Sequence, residues 1–455
     1  MRVVLISTYE MGRQPFGLAS PAAWLRQAGA TVVCQDLSRS RLDREAIATA
    51  DVVAFYVPMH TATRIAAHVV QHVKELNPRV HLCFYGLYAP MNEAFLRSLG
   101  VHTILGGEFE AGLLSLVRRL EAGLSNTAPQ PEPVISLARQ QFLVPDRHDL
   151  PPLFTYAKLI MGPGQQRTTG YTEASRGCKH LCRHCPIVPV YAGRFRIVQR
   201  DVVLADIRQQ VAAGAEHMTF GDPDFFNGVG HAIPLVQALH AEFPHLTYDV
   251  TIKIEHLLRY PEHLPTLRDT GCVLLTSAVE AVQDHILRLL DKGHTRQDFF
   301  DALALCQQVG LHLNPTFVAF TPWTTLADYI ELLTVLATQD LIAHVSPIQL
   351  AMRLLLPAGS ALLALPEMRP HLQDFDASAL TYRWTHPDPR VDQLCDKALT
   401  LVQSGEAETA SRHEIFARLW AASHKAAGLS ALAVPEPVVA PRRGPVPYLD
   451  EPWYC

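Results

Sequence analysis

The chain has 455 residues, 18% of them charged and 48% hydrophobic, with a formal net charge of -5. Its length allows about three domains of ~150 residues, while charge below the ~25% norm and a net charge of only -5 give no sign of a polyanion-binding surface, so no nucleic-acid partner is expected. Nine cysteines without disulfide rhythm suit a reducing compartment; with no uncharged run of ~18 apolar residues and an N-terminal apolar run that meets Glu10, the expectation is a soluble cytoplasmic protein with no membrane partner.

From the N-terminus, Arg2–Thr8 reads as a strand and Leu18–Ala28 as a helix stopped by Gly29. Strands at Thr31–Cys34, Asp51–Val57, Val80–Tyr85 and His102–Leu105 alternate with helices near Thr61–Leu76 and Asn92–Leu99. Five strands alternating with helices make an α/β, doubly wound parallel sheet over residues 1–124. Such sheets bind ligands beyond the carboxyl ends of their strands, here Thr8–Phe16, Met59–Thr61, Gly86–Ala89 and Gly106–Glu110. Residues 125–170 open with proline and polar residues, lack sustained periodicity and read as a linker.

The second domain, 171–360, contains the stretch TEASRGCKHLCRHCP, in which Cys178, Cys182 and Cys185 stand as CxxxCxxC. Three thiolates in one flexible loop can hold three corners of a four-iron cluster and leave the fourth iron open to a chelating ligand. The alternative is a zinc knuckle: no fourth ligand stands at a paired spacing, although His180 and His184 interleave. Strands at Glu216–Phe220, Thr247–Ile254, Cys272–Val279, His312–Ala319 and His344–Leu350 alternate with helices beyond this loop. With the strand before the cysteines, six βα units predict a partial (β/α)6 barrel, open on one side.

Catalytic side chains of parallel barrels project from the carboxyl ends of strands. That places Asp222 and Asp224 after the second strand, Lys253, Glu255 and His256 after the third, Glu280 after the fourth and Arg353 after the sixth, all facing the cysteines. Lys253, Glu255, His256 and Arg353 are the catalytic candidates. The other reading of each acid is a helix cap. The remaining cysteines, Cys34, Cys83, Cys272, Cys306 and Cys395, fall on expected strands or helices and read as small buried hydrophobes.

The cysteine spacing resembles the radical S-adenosylmethionine (SAM) superfamily, in which the open iron binds SAM and one electron cleaves it to a 5′-deoxyadenosyl radical. The resemblance implies a [4Fe-4S] cluster, SAM, and a reducing partner such as flavodoxin or ferredoxin. It also implies that the turn Gly221, Asp222, Pro223, Asp224 holds the SAM ammonium, that Glu280 contacts its ribose or amine, and that His184 lies near the adenine. Residues 1–125 resemble the cobalamin-binding domain found upstream of many radical SAM domains, through the apolar third strand with VPMHT after it and the turn GGEFE. That implies cobalamin contacts from His60, Gly86, Gly106, Gly107 and Glu108. No DxHxxG motif is present, so no histidine is offered as a lower cobalt ligand.

From residue 361 the chain changes character: Val391–Ser404 and Arg412–Ala427 read as amphipathic helices, and a proline-rich tail ends PYLDEPWYC. The EASRGC loop, the FGDPDFFNG turn and this tail together resemble the CUAEP/CCAEP-tail radical SAM proteins. Their end is a ProTrpPhe/TyrCys stretch followed by selenocysteine or cysteine, then AlaGluPro, and their activity is undefined. By that resemblance Cys455 is expected not to be the true end, and a Cys–Sec pair would reach an active site. The expected activity is radical modification of an unactivated carbon of a small molecule or peptide, with cobalamin-dependent methylation or rearrangement. The alternatives are a cobalamin-free oxidation or bond formation and an iron–sulfur electron-transfer or assembly protein; polar strand ends argue against the last.

Overall fold

A computed structural model describes residues 1–124, 131–430, 433–439 and 445–451. The expected Cys455 ending lies outside the described residues.

The first sheet contains β1 (Arg2–Ser7), β2 (Thr31–Asp36), β3 (Val52–Tyr56), β4 (His81–Tyr85), β5 (Thr103–Gly107) and β6 (Ile135–Ser136), in the parallel order β2-β1-β3-β4-β5-β6. Its five expected strands form, and the two residues of β6, from the stretch read as linker, extend the edge. Both faces are covered, which is why the strands are apolar on both sides. Val3 and Leu5 of β1 pack with Leu18, Leu25, Leu113 and Leu116 of the helices Phe16–Gln27 and Phe109–Glu121. Val4 and Ile6, one residue out of phase, pack with Ala66, Val70 and Val73 of the helix His60–Leu76. The strand order reverses between β1 and β3, and the crevice at such a switch point is the usual ligand position. The loops leaving these strands, Thr8–Pro15 and Val57–Met59, face the second domain.

The second sheet is a curled half-barrel of β7 (Lys158–Gly162), β8 (Gln165–Thr172), β11 (His217–Phe220), β12 (Thr247–Thr251), β13 (Cys272–Glu280) and β14 (Leu313–Phe317). Strands β8, β11, β12, β13 and β14 run parallel, and β7 folds back antiparallel on β8. A short ribbon, β9 (Ser175–Gly177) with β10 (Phe195–Ile197), brackets the cysteine loop. The expected sixth barrel strand does not form: Ile342–His344 and Pro347–Ala351 are 3-10 turns, and only a parallel bridge from Phe320 to Arg353 stands at that edge. Pro347 has no N–H for a ladder, and Gln349 instead caps the edge, its Oε1 accepting from Phe317 N at 2.8 Å.

The C-terminal region adds a hairpin, β15 (Leu372–Asp376) and β16 (Thr381–Trp384), and the expected helices, Pro389–Ala407 and Arg412–Ala426. The second helix starts with a reciprocal Ser411–Glu414 capping box, and Val391, Leu394, Ile415, Phe416 and Leu419 join the barrel core. The chain then returns: β17 (Tyr448–Leu449) pairs antiparallel with β7, Tyr448 opposite Ile160 and Leu449 opposite Leu159.

Candidate active site

Gly177 turns the chain into the cysteine loop with φ 75°, and a Cβ there would lie 2.5 Å from Arg194 O, so glycine alone fits this position. Cys178 and Cys182 are buried and Cys185 is partly exposed; none is in a disulfide. Burial pushes the Cys185 thiol up to about 12 and raises Cys178 as well. A metal bound here must displace those protons. Asn227, on the turn after β11, braces the loop: its Oδ1 accepts from Lys179 N at 3.2 Å and lies 3.9 Å from Cys178 Sγ. Lys253 Nζ lies 3.8 Å from Cys182 Sγ and brings a cation to the thiolates.

A charged shell surrounds the loop. Asp224 is fully buried; His256 Nδ1 stands 2.6 Å and His180 Nε2 3.6 Å from its Oδ2. Burial opposes this carboxylate's charge, but the two histidines outweigh it and hold its pKa below the usual value. Asp224 also caps the following turn, its side chain accepting from Phe226 N, so the cap reading holds for this acid. Glu255 lies 3.5 Å from both His180 Nδ1 and Lys253 Nζ. Lys253, Glu255 and His256 thus gather around the cysteine loop as their strand-end position implied. Cys178, His180 and Asp224 offer metal-binding atoms within 4.8 Å of one another. A tetrahedral ion there would leave Cys182 and Cys185 unused, whereas a four-iron cluster uses all three thiols and leaves His180 to Asp224 and Glu255.

Glu280 ends β13 at a register shift, with φ 71°, which swings its carboxylate toward the loop. His184 Nε2 donates to its Oε1 at 3.0 Å, and Lys292 Nζ lies 3.5 Å away. Burial raises this carboxyl, but Lys292 and His184 more than compensate and bring it to about 2. Asp222 has both oxygens engaged by the neighbouring strand, from Ser175 Oγ at 2.5 Å and Ala174 N at 2.9 Å. Burial pushes it up to about 7 despite those bonds. Its observed role is to tie the turn to the loop. Gly221 gives room to the Tyr171 hydroxyl, 1.8 Å from where a Cβ would be.

Two cavities meet at Arg13, Gly221 and Pro223. One, of about 280 Å³, lies inside the half-barrel and is lined by the inward residues Thr219, Thr251, Thr276, Asn314 and Thr316. The other, of about 240 Å³, separates the first sheet from the cysteine loop, between Tyr56, Met59, Leu87 and Phe109 on one side and Tyr171, Ile187 and Tyr191 on the other.

Of the residues expected at the first sheet's ligand edge, Gly107 lines this second cavity. Gly86 and Gly106 meet the chain's own packing: a Cβ would lie 3.0 Å from Val57 O and 2.2 Å from Pro90 Cγ respectively. Glu108 faces the cysteine loop, accepting from Tyr191 OH at 3.2 Å and lying 3.5 Å from Arg176 Nη1. His60 Nε2 donates to Ala379 O at 2.6 Å, in the C-terminal hairpin. Arg353 departs from its expected place: its guanidinium stacks 3.6 Å over Trp384 and donates to Asp392 Oδ1 and Trp384 O, because the strand that would have aimed it at the cysteines is absent.

Residues missed from the sequence include Arg176, Asn227 and Lys292. Arg176, beside Cys178, is buried and donates to Glu110 at 2.7 and 2.9 Å and to Glu173 at 2.6 Å, joining the GGEFE turn to the loop. Glu173, three residues before Arg176 and next to the cysteine loop, was the available signal.

Residues 172–333 match the family model described as the Radical SAM superfamily, so the chain contains a radical SAM domain, which takes a [4Fe-4S] cluster and SAM. A putative methylthiotransferase of Methanocaldococcus jannaschii is 23% identical over 307 residues, 64% of this chain and 65% of that protein. The ribosomal protein uS12 methylthiotransferase RimO of Geobacter sulfurreducens is 24% identical over 175 residues, 36% of this chain and 39% of that protein. Among solved structures, the cobalamin-dependent SAM radical enzyme OxsB, with aqua-cobalamin and SAM bound, superposes with a TM-score of 0.69 at 14% identity, covering 89% of this chain and 66% of that one. The methyltransferase TsrM of Kitasatospora setae, with tryptophan and a SAM analogue, gives 0.64 at 16% identity and 89% coverage of both chains. The chain thus spans about two thirds of the first of these relatives, and the structural likenesses establish a shared fold.

Proposed function

We propose that this chain is a radical SAM enzyme that generates a 5′-deoxyadenosyl radical and uses it on a substrate held in the half-barrel. The observation that carries this reading is the convergence of three thiols, the Asp224 and Glu280 carboxylates and a polar barrel cavity on one loop. The cluster supplies the electron for SAM cleavage. Glu280 and Asp224 are charged acceptors for the SAM ammonium and hydroxyls, and charge-assisted bonds of this kind are the stronger ones. His184 and Lys292 fix Glu280 in its charged form, and the C-terminal segment on β7 lines the barrel cavity.

Cobalamin is the second cofactor of this reading, in the cavity between the first sheet and the cysteine loop. Its support is the switch-point crevice of the sheet and the fold shared with two proteins whose structures contain cobalamin. At about 240 Å³ the cavity is below the ~300–1,000 Å³ of ordinary ligand pockets. Uptake therefore requires Tyr56, Phe109 and Tyr191 to part. Methylation or rearrangement of an unactivated carbon is the chemistry this pairing supplies, and the CUAEP/CCAEP-tail family is the group proposed. The test is electron paramagnetic resonance of the chain loaded with Co(II) cobalamin. Uptake without nitrogen splitting from a protein imidazole is expected, since His60 is bonded to Ala379; no uptake, or such a splitting, would overturn the cobalamin part.

A further inference from the structure

The half-barrel cavity is walled by neutral hydrogen-bonding side chains, and its charges are few. Asp249 accepts at one oxygen, Oδ1, from His217 Nε2 at 2.9 Å and Thr219 Oγ1 at 2.6 Å, and its charge is felt by both Arg13 and Glu451. Two guanidinium groups also line the cavity, and the returning C-terminal segment covers both. Arg13, from the loop after β1, donates through Nε at 3.0 Å and through Nη2 to the same Glu451 oxygen. Arg412 lies 4.5 Å over the Tyr448 ring and donates to Ala343 O at 2.6 Å. Among the described residues no carboxylate pairs with Arg412.

Glu451 is set deep, its side chain 8% exposed, yet the strand that carries it is shallowly held. β17 has two residues in register with β7, supplemented by Asp450 N donating to Lys158 O at 3.0 Å and by Lys158 N donating to Asp450 Oδ1. A two-residue edge strand opens far more easily than the core strands beside it. Arg13, by contrast, is fixed by the first domain's loop and lies 5.2 Å over the Tyr171 ring, at the junction of the two cavities. If the edge strand leaves, Arg13 loses its hydrogen-bonded carboxylate and keeps only the more distant charges of Asp249 and Glu10, and Arg412 stands without a carboxylate partner among the described residues; guanidinium groups so placed select planar anions that can take a forked pair of hydrogen bonds.

We infer that the half-barrel takes a substrate bearing a carboxylate, seated on Arg13 where the chain's own Glu451 carboxylate lies, and that Tyr448–Glu451 must leave for it to bind. Arg13 is thereby the specificity-determining residue, and Glu451 is an internal stand-in for the substrate anion. The inference rests on the half-barrel being the substrate chamber proposed above.

The test uses the full reconstituted chain, with succinate as a carboxylate probe and succinamide as its neutral counterpart. Glu451→Ala vacates Arg13 and is expected to bind succinate at least about tenfold more tightly than the unaltered chain, with no gain for succinamide. Arg13→Gln combined with Glu451→Ala is expected to lose that gain. In the unaltered chain, saturating succinate is expected to speed amide exchange at Leu449–Glu451 about tenfold, a readout that needs no variant to fold. Equal succinate affinity for Glu451→Ala and the unaltered chain, an undiminished gain in the double variant, or unchanged exchange would each overturn the inference. 5′-Deoxyadenosine formation is followed in parallel: its absence would sink the radical reading while these binding outcomes still decide the anion site.

Discussion

Replacing Arg176 by methionine, which keeps its length and removes its charge, is expected to cost about 3–5 kcal/mol of stability. The magnitude follows from what remains. Arg176 is 6% exposed, Glu110 0% and Glu108 1%, and Glu173 lies 2.6 Å from Nε, so removing the cation strands carboxylates where water cannot reach them. Glu108 is already pushed up to about 7 by burial, although Arg176 pulls the other way, and without Arg176 Glu110 and Glu173 would rise too. A carboxyl whose folded pKa exceeds its unfolded value of ~4.3 binds more protons in the folded state, so the deficit must shrink as the pH is lowered from about 8 to about 5. The assay is urea unfolding followed by circular dichroism at both pH values. Adding Glu110→Gln to the variant is expected to restore about 1–3 kcal/mol, because one stranded charge is gone. A loss under about 1 kcal/mol at the higher pH, or a deficit that does not change with pH, would refute the reasoning.

Glu280→Gln is expected to cost roughly 3 kcal/mol at neutral pH, the equivalent of a carboxyl held at about 2 rather than 4.5. That contribution is present above the unfolded pKa and is lost as the pH falls through about 2, so the variant's urea midpoint should be flatter than that of the unaltered chain across that window; parallel profiles would contradict the pairing with Lys292 and His184. Arg353→Ala is expected to lower stability by about 1–3 kcal/mol through its lost stacking and hydrogen bonds while leaving 5′-deoxyadenosine formation within about twofold; a large loss of SAM cleavage at unchanged stability would return Arg353 to the active site.

The parts of the molecule governed by local pattern were legible in the sequence. Alternating βα segments gave the first sheet, because each strand buried on both faces must be continuously apolar, and the three cysteines announced themselves by spacing alone. Asp224, Lys253, Glu255, His256 and Glu280 followed from one topological rule about strand ends. What local pattern does not carry is pairing across the chain. Arg13 and Glu451 are 438 residues apart, and nothing near either marks the other. The same holds for Arg176 with Glu110 and for the two-residue strands β6 and β17, too short for any period to register. His344–Leu350 has the composition of a strand, but Pro347 and the capping Gln349 turn it into a tight helix. Arg353, placed by counting strands, was misplaced with it. His60 was read from its position after β3, and its contact with the hairpin 319 residues away was beyond sequence reasoning.

The most direct test of the central claim is anaerobic reconstitution of the full chain with iron and sulfide, followed by reduction in the presence of SAM and quantitation of 5′-deoxyadenosine. The account predicts about four iron per chain and formation of 5′-deoxyadenosine, with Cys178→Ala, Cys182→Ala and Cys185→Ala each abolishing it, since losing one thiolate leaves a second iron without a protein ligand. Zinc held in place of iron by Cys178, His180 and Asp224, or 5′-deoxyadenosine formed by any one of the three variants, would contradict it.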